Sequence, residues 1–453
     1  MTNPAPAPFN IAIIGAGVIG LKLALALLKR NIPTTIYEQA GPRREIGAGL
    51  AFMPPCVEYM HELDPLIAET FNKVRVLGEG KIQFVNGRSY YGKSRSGGDG
   101  DGAGENQGSH DDFELGSGGL PACLRAQLVT ALEGLLPEGV LKLGKRVEEI
   151  VTPEREGDND EKIVLRFADG TTAEADAVVG CDGIKSRIRE LVLSPNDPAA
   201  YPGYTHMSVY RGLIPMGRAM TAIGDSAGRG LVMELGPGSH IVRYPIAGGT
   251  LLNFLAFLSN PGEWEGDKIK MTAPASKSDV VLAFAEWGES VRALVELLPE
   301  KLDCWGMFDT AEHPLECYAY GRVCLAGDAA HASSTHHAAG VTLGIEDSLA
   351  LAVILESAAS KLQSPENTNS RQKVLAAAFL AYDAVRRERS QWVVQSSRHL
   401  GELYHWEDPV IGNDSVKMKE DLAWRYEKVT EFDWKKMQAD AVRDFEERLE
   451  RNS

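Results

Sequence analysis

Apolar and polar positions follow two different periods along the chain. Residues 10–14 are a mostly apolar run. Residues 18–30 repeat apolar side chains at helical spacing, and 34–37 return to a short β-like run. This order predicts strand, helix, strand, the β-α-β unit of a parallel sheet. Between about 187 and 298 the pattern changes. Short β-like runs at 206–214, 230–235, 240–245 and 250–258 are separated by Gly, Pro and Asp turns, and predict an inserted antiparallel sheet. Residues 322–326 read as a second buried strand, followed by an apolar helix at about 345–356. Tyr382, Val385, Trp392, Val393, Leu400 and Leu403 then recur at helical spacing, and the tail beyond Lys417 is charged and reads as solvated helix. Two polar stretches interrupt these elements. Residues 92–112 hold seven glycines and no large apolar side chain, and predict a mobile linker; 357–372 predict a second linker.

Composition narrows the class. The 453 residues are 44% hydrophobic and 24% charged, which excludes global disorder. The formal charge of −16 argues against a nucleic-acid partner, because an acidic surface repels phosphate backbones. The six cysteines are scattered without a C-x-x-C pair and read as reduced thiols, which points to a cytoplasmic location. The apolar run 11–28 lacks a basic leader and contains Lys22, so a secretory signal is not expected; nor is a membrane span, since no 18 uncharged apolar residues stand together. The 46 glycines exceed the roughly 32 that average usage gives.

Part of that excess is chemically placed. Gly15-Ala-Gly17-Val-Ile-Gly20 leaves the first strand and enters the first helix. Gly15 permits the tight turn, Gly17 lets a pyrophosphate approach the backbone, and Gly20 lets helix and strand pack closely. The helix N-terminus favours the diphosphate. Glu38 closes the next strand, where a carboxylate accepts hydrogen bonds from a ribose. The bland alternative is a strand–helix turn without a ligand. Two later segments also put glycine and aspartate after a strand: Asp182-Gly183, with Ser186 and Arg189 downstream, and Gly327-Asp328, with His331 downstream. A helix cap is the bland reading of each aspartate.

In this order and at these separations, the three segments resemble the class A FAD-dependent aromatic monooxygenases, the para-hydroxybenzoate and salicylate hydroxylase family. The resemblance spans about residues 9–400 and extends to the fungal polyketide-pathway dearomatising phenol hydroxylases. It implies FAD as cofactor and NADPH or NADH as a transient co-substrate, with no second G-x-G-x-x-G needed. It implies that Asp328 contacts the ribityl and pyrophosphate part of FAD, that Arg125 of an R-x-x-L segment reaches the FAD, and that Asp182 serves FAD and NAD(P)H. Arg43 or Arg44 and the segment 46–50, with Gly49, would lie beside the flavin. Arg211 in a Y-R-G strand and Tyr244 in a Y-P-I strand would clamp a substrate oxygen as catalytic residues, while Arg243 would face the other way. A sheet-surface salt bridge is the bland reading of Arg211. His336 and His337 would line the substrate pocket or cap the loop; the loop offers no cysteine or carboxylate to complete a metal site, so no metal is expected. The family's flavin-facing loop is rich in glycine. Here Thr335, Ala338, Val341 and Thr342 depart from it, leaving Gly340, and Ala338 is expected to resist a positive φ.

The expected architecture is therefore α/β. A Rossmann-like FAD-binding domain is assembled from 1–75, 119–186 and 299–357. A mostly antiparallel substrate domain is formed by 76–118 and 187–298, with 92–112 its mobile linker, and 358–453 form a C-terminal helical region. The expected reaction is hydroxylation, with or without dearomatisation, of a phenolic secondary metabolite by a flavin C4a-hydroperoxide formed from dioxygen. Two other readings stay open: epoxidation of an indole or alkene in an alkaloid pathway, and a flavin-fold protein with a non-oxygenating role. A small aromatic molecule is the expected partner, and the chain is expected as a monomer or homodimer, away from membranes.

Overall fold

The computed structural model describes residues 7–41, 49–77, 80–88, 112–116, 119–152, 161–228, 230–266 and 270–451. Arg43 and most of the 92–112 stretch lie outside the described residues. The strand Ile11–Ile14 is buried along its whole length and pairs in parallel with Thr34–Glu38 on one side and Ala177–Gly180 on the other. A strand buried on both faces reads as a continuous apolar run. Val323–Leu325 adds in parallel beside Ala177–Gly180, within a six-stranded sheet. The helix Val18–Lys29 covers one face through Leu21, Leu23, Ala24 and Leu27. The chain segments leaving Ile14, Gly180 and Leu325 thus emerge side by side at the carboxyl edge of one sheet, where open α/β sheets bind ligands.

A second sheet has eight strands. All its pairings are antiparallel except that of Val232–Gly236 with Ile82–Asn86. Its two faces separate cleanly. Ile241, Phe254 and Ala256 pack under the short helices Lys277–Ala283 and Glu289–Val295. Their strand neighbours Val242, Leu255 and Phe257 face a cavity on the other side. The period of two along a strand produces this division.

The C-terminal part differs from the sequence expectation in two places. The helix Gly340–Gln363 runs through the first half of the expected 357–372 linker, because Ala358 is buried in the core and Ser360 bonds back to the carbonyl of Glu356. The tail beyond Lys417 is not merely solvated. The helices Ser415–Thr430 and Trp434–Arg451 bury Met418, Leu422, Val429, Trp434, Met437, Phe445 and Leu449. Within each helix, counting the buried Ala441, those positions recur three, four or seven apart, a helical stripe that the abundance of charge concealed. Among the described residues no helix is long and apolar enough to cross a membrane.

Candidate active site

The first turn can be made only by glycine. Gly15 has φ +100°, and a Cβ there would stand 2.5 Å from the carbonyl oxygen of Cys181. A Cβ on Gly20 would stand 2.1 Å from the carbonyl oxygen of Gly15, whereas one on Gly17 meets nothing within 4 Å. Gly17 therefore faces open space at the N-terminus of Val18–Lys29, whose first turn carries no acid. The positive end of the helix dipole is left available to an anion. Glu38 accepts hydrogen bonds from the backbone N–H groups of Ala16 (2.8 Å) and Ala40 (2.9 Å), which fixes the carboxylate beside the turn. A groove of about 490 Å³ runs past Gly15, Gly17, Glu38, Arg125, Asp182 and Gly183. Two of the three sequence motifs thus meet in the groove, the third adjoins them where a Cβ on Gly327 would stand 3.3 Å from Ile19, and a dinucleotide fits the residues that surround the groove.

Asp182 caps the short helix Arg187–Val192. It accepts from Ser186 Oγ (2.5 Å) and from the N–H groups of Arg187 (2.7 Å) and Ile188 (3.1 Å). Burial pushes its pKa up, against those hydrogen bonds. Asp328 opens the helical turn after Gly327, which has φ +62°. Burial raises the Asp328 pKa, while His331, Arg125 and Arg189 oppose the rise. Arg189 stands in the motif without a role that sequence could give it. It is fully buried and donates to the carbonyls of Ile184 (2.5 Å), Ala200 (3.0 Å), Ala329 (3.0 Å) and Asp328 (3.4 Å). One guanidinium thereby ties the Asp182 segment to the Asp328 turn. The arginine was visible in sequence; its four carbonyl acceptors come from three segments and were not.

At Asp328 begins a second cavity of about 260 Å³, mostly apolar. It is bounded by Gly49 and Leu50, the sheet face carrying Arg211 and Tyr244, the loop from Ser333 to Val341, and Leu422 and Tyr426 of the helix Ser415–Thr430. Gly340 and Val341 begin the long helix Gly340–Gln363, whose N-terminus points its dipole at this space. Ala338 has φ +53°, the left-handed conformation that an alanine resists. Leu422 and Tyr426 were not anticipated; their spacing with Met418 and Val429 was the available signal.

Arg211 and Tyr244 lie on strands that flank Leu251–Ser259 and share one sheet face. Arg211 is opposite Leu255, and Tyr244 is opposite Asn253 two residues away. Arg211 is the only lysine or arginine among the described residues that line the cavity. Among the described residues no carboxylate pairs with it, and its Nε has no hydrogen-bond partner. Its guanidinium lies 5.0 Å from the ring centre of Trp305. Burial lowers its pKa, and the neighbouring Tyr244 hydroxyl opposes that shift. Burial also raises the Tyr244 pKa to about 12, so its hydroxyl keeps its proton and can donate. Arg243, its neighbour in sequence, pairs instead with Glu234 (3.2 Å) and the carbonyl of Ser226 (2.7 Å).

His336 and His337 both reach the cavity wall. His336 Nδ1 lies 2.8 Å from Ser334 Oγ, and His337 Nε2 lies 2.9 Å from Ser396 Oγ. Burial drives their pKa values down to about 4 and about 3, so both are neutral. Behind them His240 stacks on Phe257 and sits 5.3 Å from His336 and 4.9 Å from His405, ring centre to ring centre. Among the described residues no group of three or more His, Cys, Asp or Glu could hold a metal ion, and all six cysteines are free thiols.

A glycine-lined dinucleotide groove beside an apolar cavity is the plan of a flavin-dependent oxidoreductase. Comparison with known proteins gives the family. A family model for an FAD binding domain matches residues 292–395. The FAD-dependent monooxygenase pigN of Monascus ruber is 44% identical over 442 residues, covering 97% of this chain and 98% of its own length. Salicylate hydroxylase asL1 of Sarocladium schorii is 38% identical over 440 residues, covering 94% of this chain and 88% of its own. The solved salicylate hydroxylase substrate complex superposes with a TM-score of 0.78 at 28% identity, over 96% of this chain and 98% of that one. The chain belongs to the FAD-dependent monooxygenases, of the salicylate hydroxylase type.

Proposed function

We propose that this enzyme hydroxylates a phenolic secondary metabolite, with dearomatisation as an accessible outcome, using NADPH or NADH and dioxygen. The observation that carries the reading is Arg211, a half-buried cation with no carboxylate partner among the described residues, on the wall of an apolar cavity beside the protonated Tyr244 hydroxyl. Such a wall selects an anionic oxygen on an otherwise apolar ring. A phenol ionises near pH 10, and bringing that to neutrality takes about 3 pKa units, about 4 kcal/mol. One cation close by supplies roughly 1–3 units, and a hydrogen bond from Tyr244 to the oxyanion supplies about another kcal/mol. Together the pair offsets a large part of that cost and favours a phenolate, whose ring carbons are electron-rich.

In this reading Gly15, Gly17 and Gly20 shape the cradle for the FAD diphosphate, Glu38 takes the ribose, and Arg125, Gly327 and Asp328 hold the next part of the cofactor. Asp182 acts through the turn it caps. Gly49, Ala338, Gly340 and Val341 flank the ring system, with the helix N-terminus at Gly340 stabilising negative charge there. Bound FAD supplies the activation of dioxygen. The apolar lining excludes water, and the neutral His336 and His337 shape the pocket without competing with Arg211 for the anion. The test is NAD(P)H oxidation by the purified yellow protein across a panel of substituted phenols. Acceleration by one phenol, with one oxygen atom from labelled dioxygen in the product, is expected. A panel of phenols that all leave the basal rate unchanged overturns the phenolate reading.

A further inference from the structure

We propose that a buried chain of charges couples the cofactor turn to the helix that closes the substrate cavity, with Arg389 as its terminal positioning residue. The inference rests on the assignment of the Gly327 turn to FAD. The chain begins at that turn. The Gly327 N–H donates to Asp347 Oδ2 at 2.8 Å, and His331 Nε2 lies 2.6 Å from the same oxygen. Arg386 Nε donates to Asp347 Oδ1 at 2.9 Å, and its Nη1 stands 2.7 Å from Glu346 Oε2 as an ion pair without hydrogen-bond alignment. Glu346 in turn is gripped by both arms of Arg389, at 2.9 Å each. Asp347, Arg386 and Glu346 are fully buried.

The far end of the chain is on another element. Arg389 donates to the carbonyls of Lys428 (3.1 Å) and Val429 (3.0 Å), in the last turn of Ser415–Thr430. The final carbonyls of a helix have no partners within it, so this guanidinium caps the helix and complements its negative end. One and two turns back from those carbonyls, the same helix presents Tyr426 and Leu422 to the cavity. Val429 itself packs with Ala339 and Leu343 beneath the loop that bounds the cavity. A buried ionic network of this kind tolerates few arrangements, because removing one partner leaves a charge uncompensated. A cofactor that fixes the Gly327 turn therefore also fixes the helix, and the effect is reciprocal.

The test is hydrogen exchange of the full chain with FAD bound and after its removal. FAD is expected to slow amide exchange in 415–430 by at least tenfold; Leu422 and Tyr426 share the cavity with the loop assigned to the flavin, so the Arg389 variant separates coupling through the charge chain from direct contact. In Arg389→Met, FAD retention is expected to be unchanged while that slowing falls below threefold. A merely structural role would lower the melting temperature with and without FAD and leave the slowing intact, and that result overturns the proposal. If Arg389→Met does not fold, the wild-type comparison decides alone: equal exchange in 415–430 with and without FAD overturns it. Asp328→Asn separates the underlying assignment. If that variant retains FAD as the wild type does, the cofactor reading of the turn falls, whatever the helix does.

Discussion

The nucleotide groove and the substrate cavity are built from different materials. The groove is shaped chiefly by backbone: Gly15 and Gly20, which admit no Cβ, N–H groups at a helix start, and the edge of a parallel sheet, with Glu38 and Arg125 beside them. The cavity is made largely of side chains from a strand, a loop, three helices and a sheet face, brought together from positions as far apart as Leu50 and Tyr426. A backbone site tolerates almost no substitution, because its shape is covalent. A side-chain site can be respecified residue by residue, which is the arrangement expected where relatives share a cofactor and differ in substrate.

The strongest way to test that contrast is at Gly15. A methyl group there meets a carbonyl at 2.5 Å and demands φ +100°. Gly15→Ala is expected to cost more than about 3 kcal/mol, from backbone strain and the clash together. Purified protein should be largely colourless, with FAD retention down at least a hundredfold; a normally yellow variant would break the claim that this turn is a backbone cradle. Arg211→Met is expected to behave in the opposite way. FAD content and melting temperature should stay near wild type, while kcat/KM for the active phenol falls by about 2–3 kcal/mol, the value of a lost charged hydrogen bond. Unchanged turnover would remove Arg211 from the site.

Acidity separates the two regions next. An unfolded histidine gains its proton below about pH 6.5, whereas His336 and His337 do so in the folded protein only at about 4 and about 3. Between these values the unfolded chain binds more protons. The stability contribution is therefore complete above pH 6.5 and is lost as pH falls from 6.5 toward 4, by on the order of 1–3 kcal/mol for each group. The melting temperature of His337→Asn should fall less steeply between pH 6.5 and 5 than that of the wild type. Identical slopes would mean that His337 is not held neutral. The smallest effect is at Ala338. Left-handed backbone costs an alanine about 1–2 kcal/mol, and glycine returns part of that gain as unfolded-state entropy. Ala338→Gly should raise stability by about 0.5 kcal/mol, read as a higher melting temperature; a lower one would contradict the strain.

Legibility in the sequence divides along the same line. Gly15, Gly17 and Gly20 could be placed because the residue type itself encodes the backbone requirement. Arg211 and Tyr244 could be named only through a family resemblance; their common face follows from strand register, with Leu255 and Asn253 as the rungs between them. The roles of Arg189 and Arg389 were unreadable, since Arg189 and one side of Arg389 act on carbonyl oxygens, which every residue possesses and no sequence marks. The tail misled for another reason. Its high charge masked a narrow apolar stripe, and only packing reveals that Leu422 and Tyr426 close the cavity.

By itself the sequence determined the strand–helix–strand start, the inserted sheet, the dinucleotide turn and the class of chemistry. Local periodicity and glycine geometry are properties of short segments. The tertiary structure alone decided that the groove lies beside a cavity holding a single described cation, that a buried arginine joins two motif turns, and that a charged chain ends on the cavity's lid. Those depend on side chains meeting across hundreds of residues, where distance in sequence carries no information about distance in space.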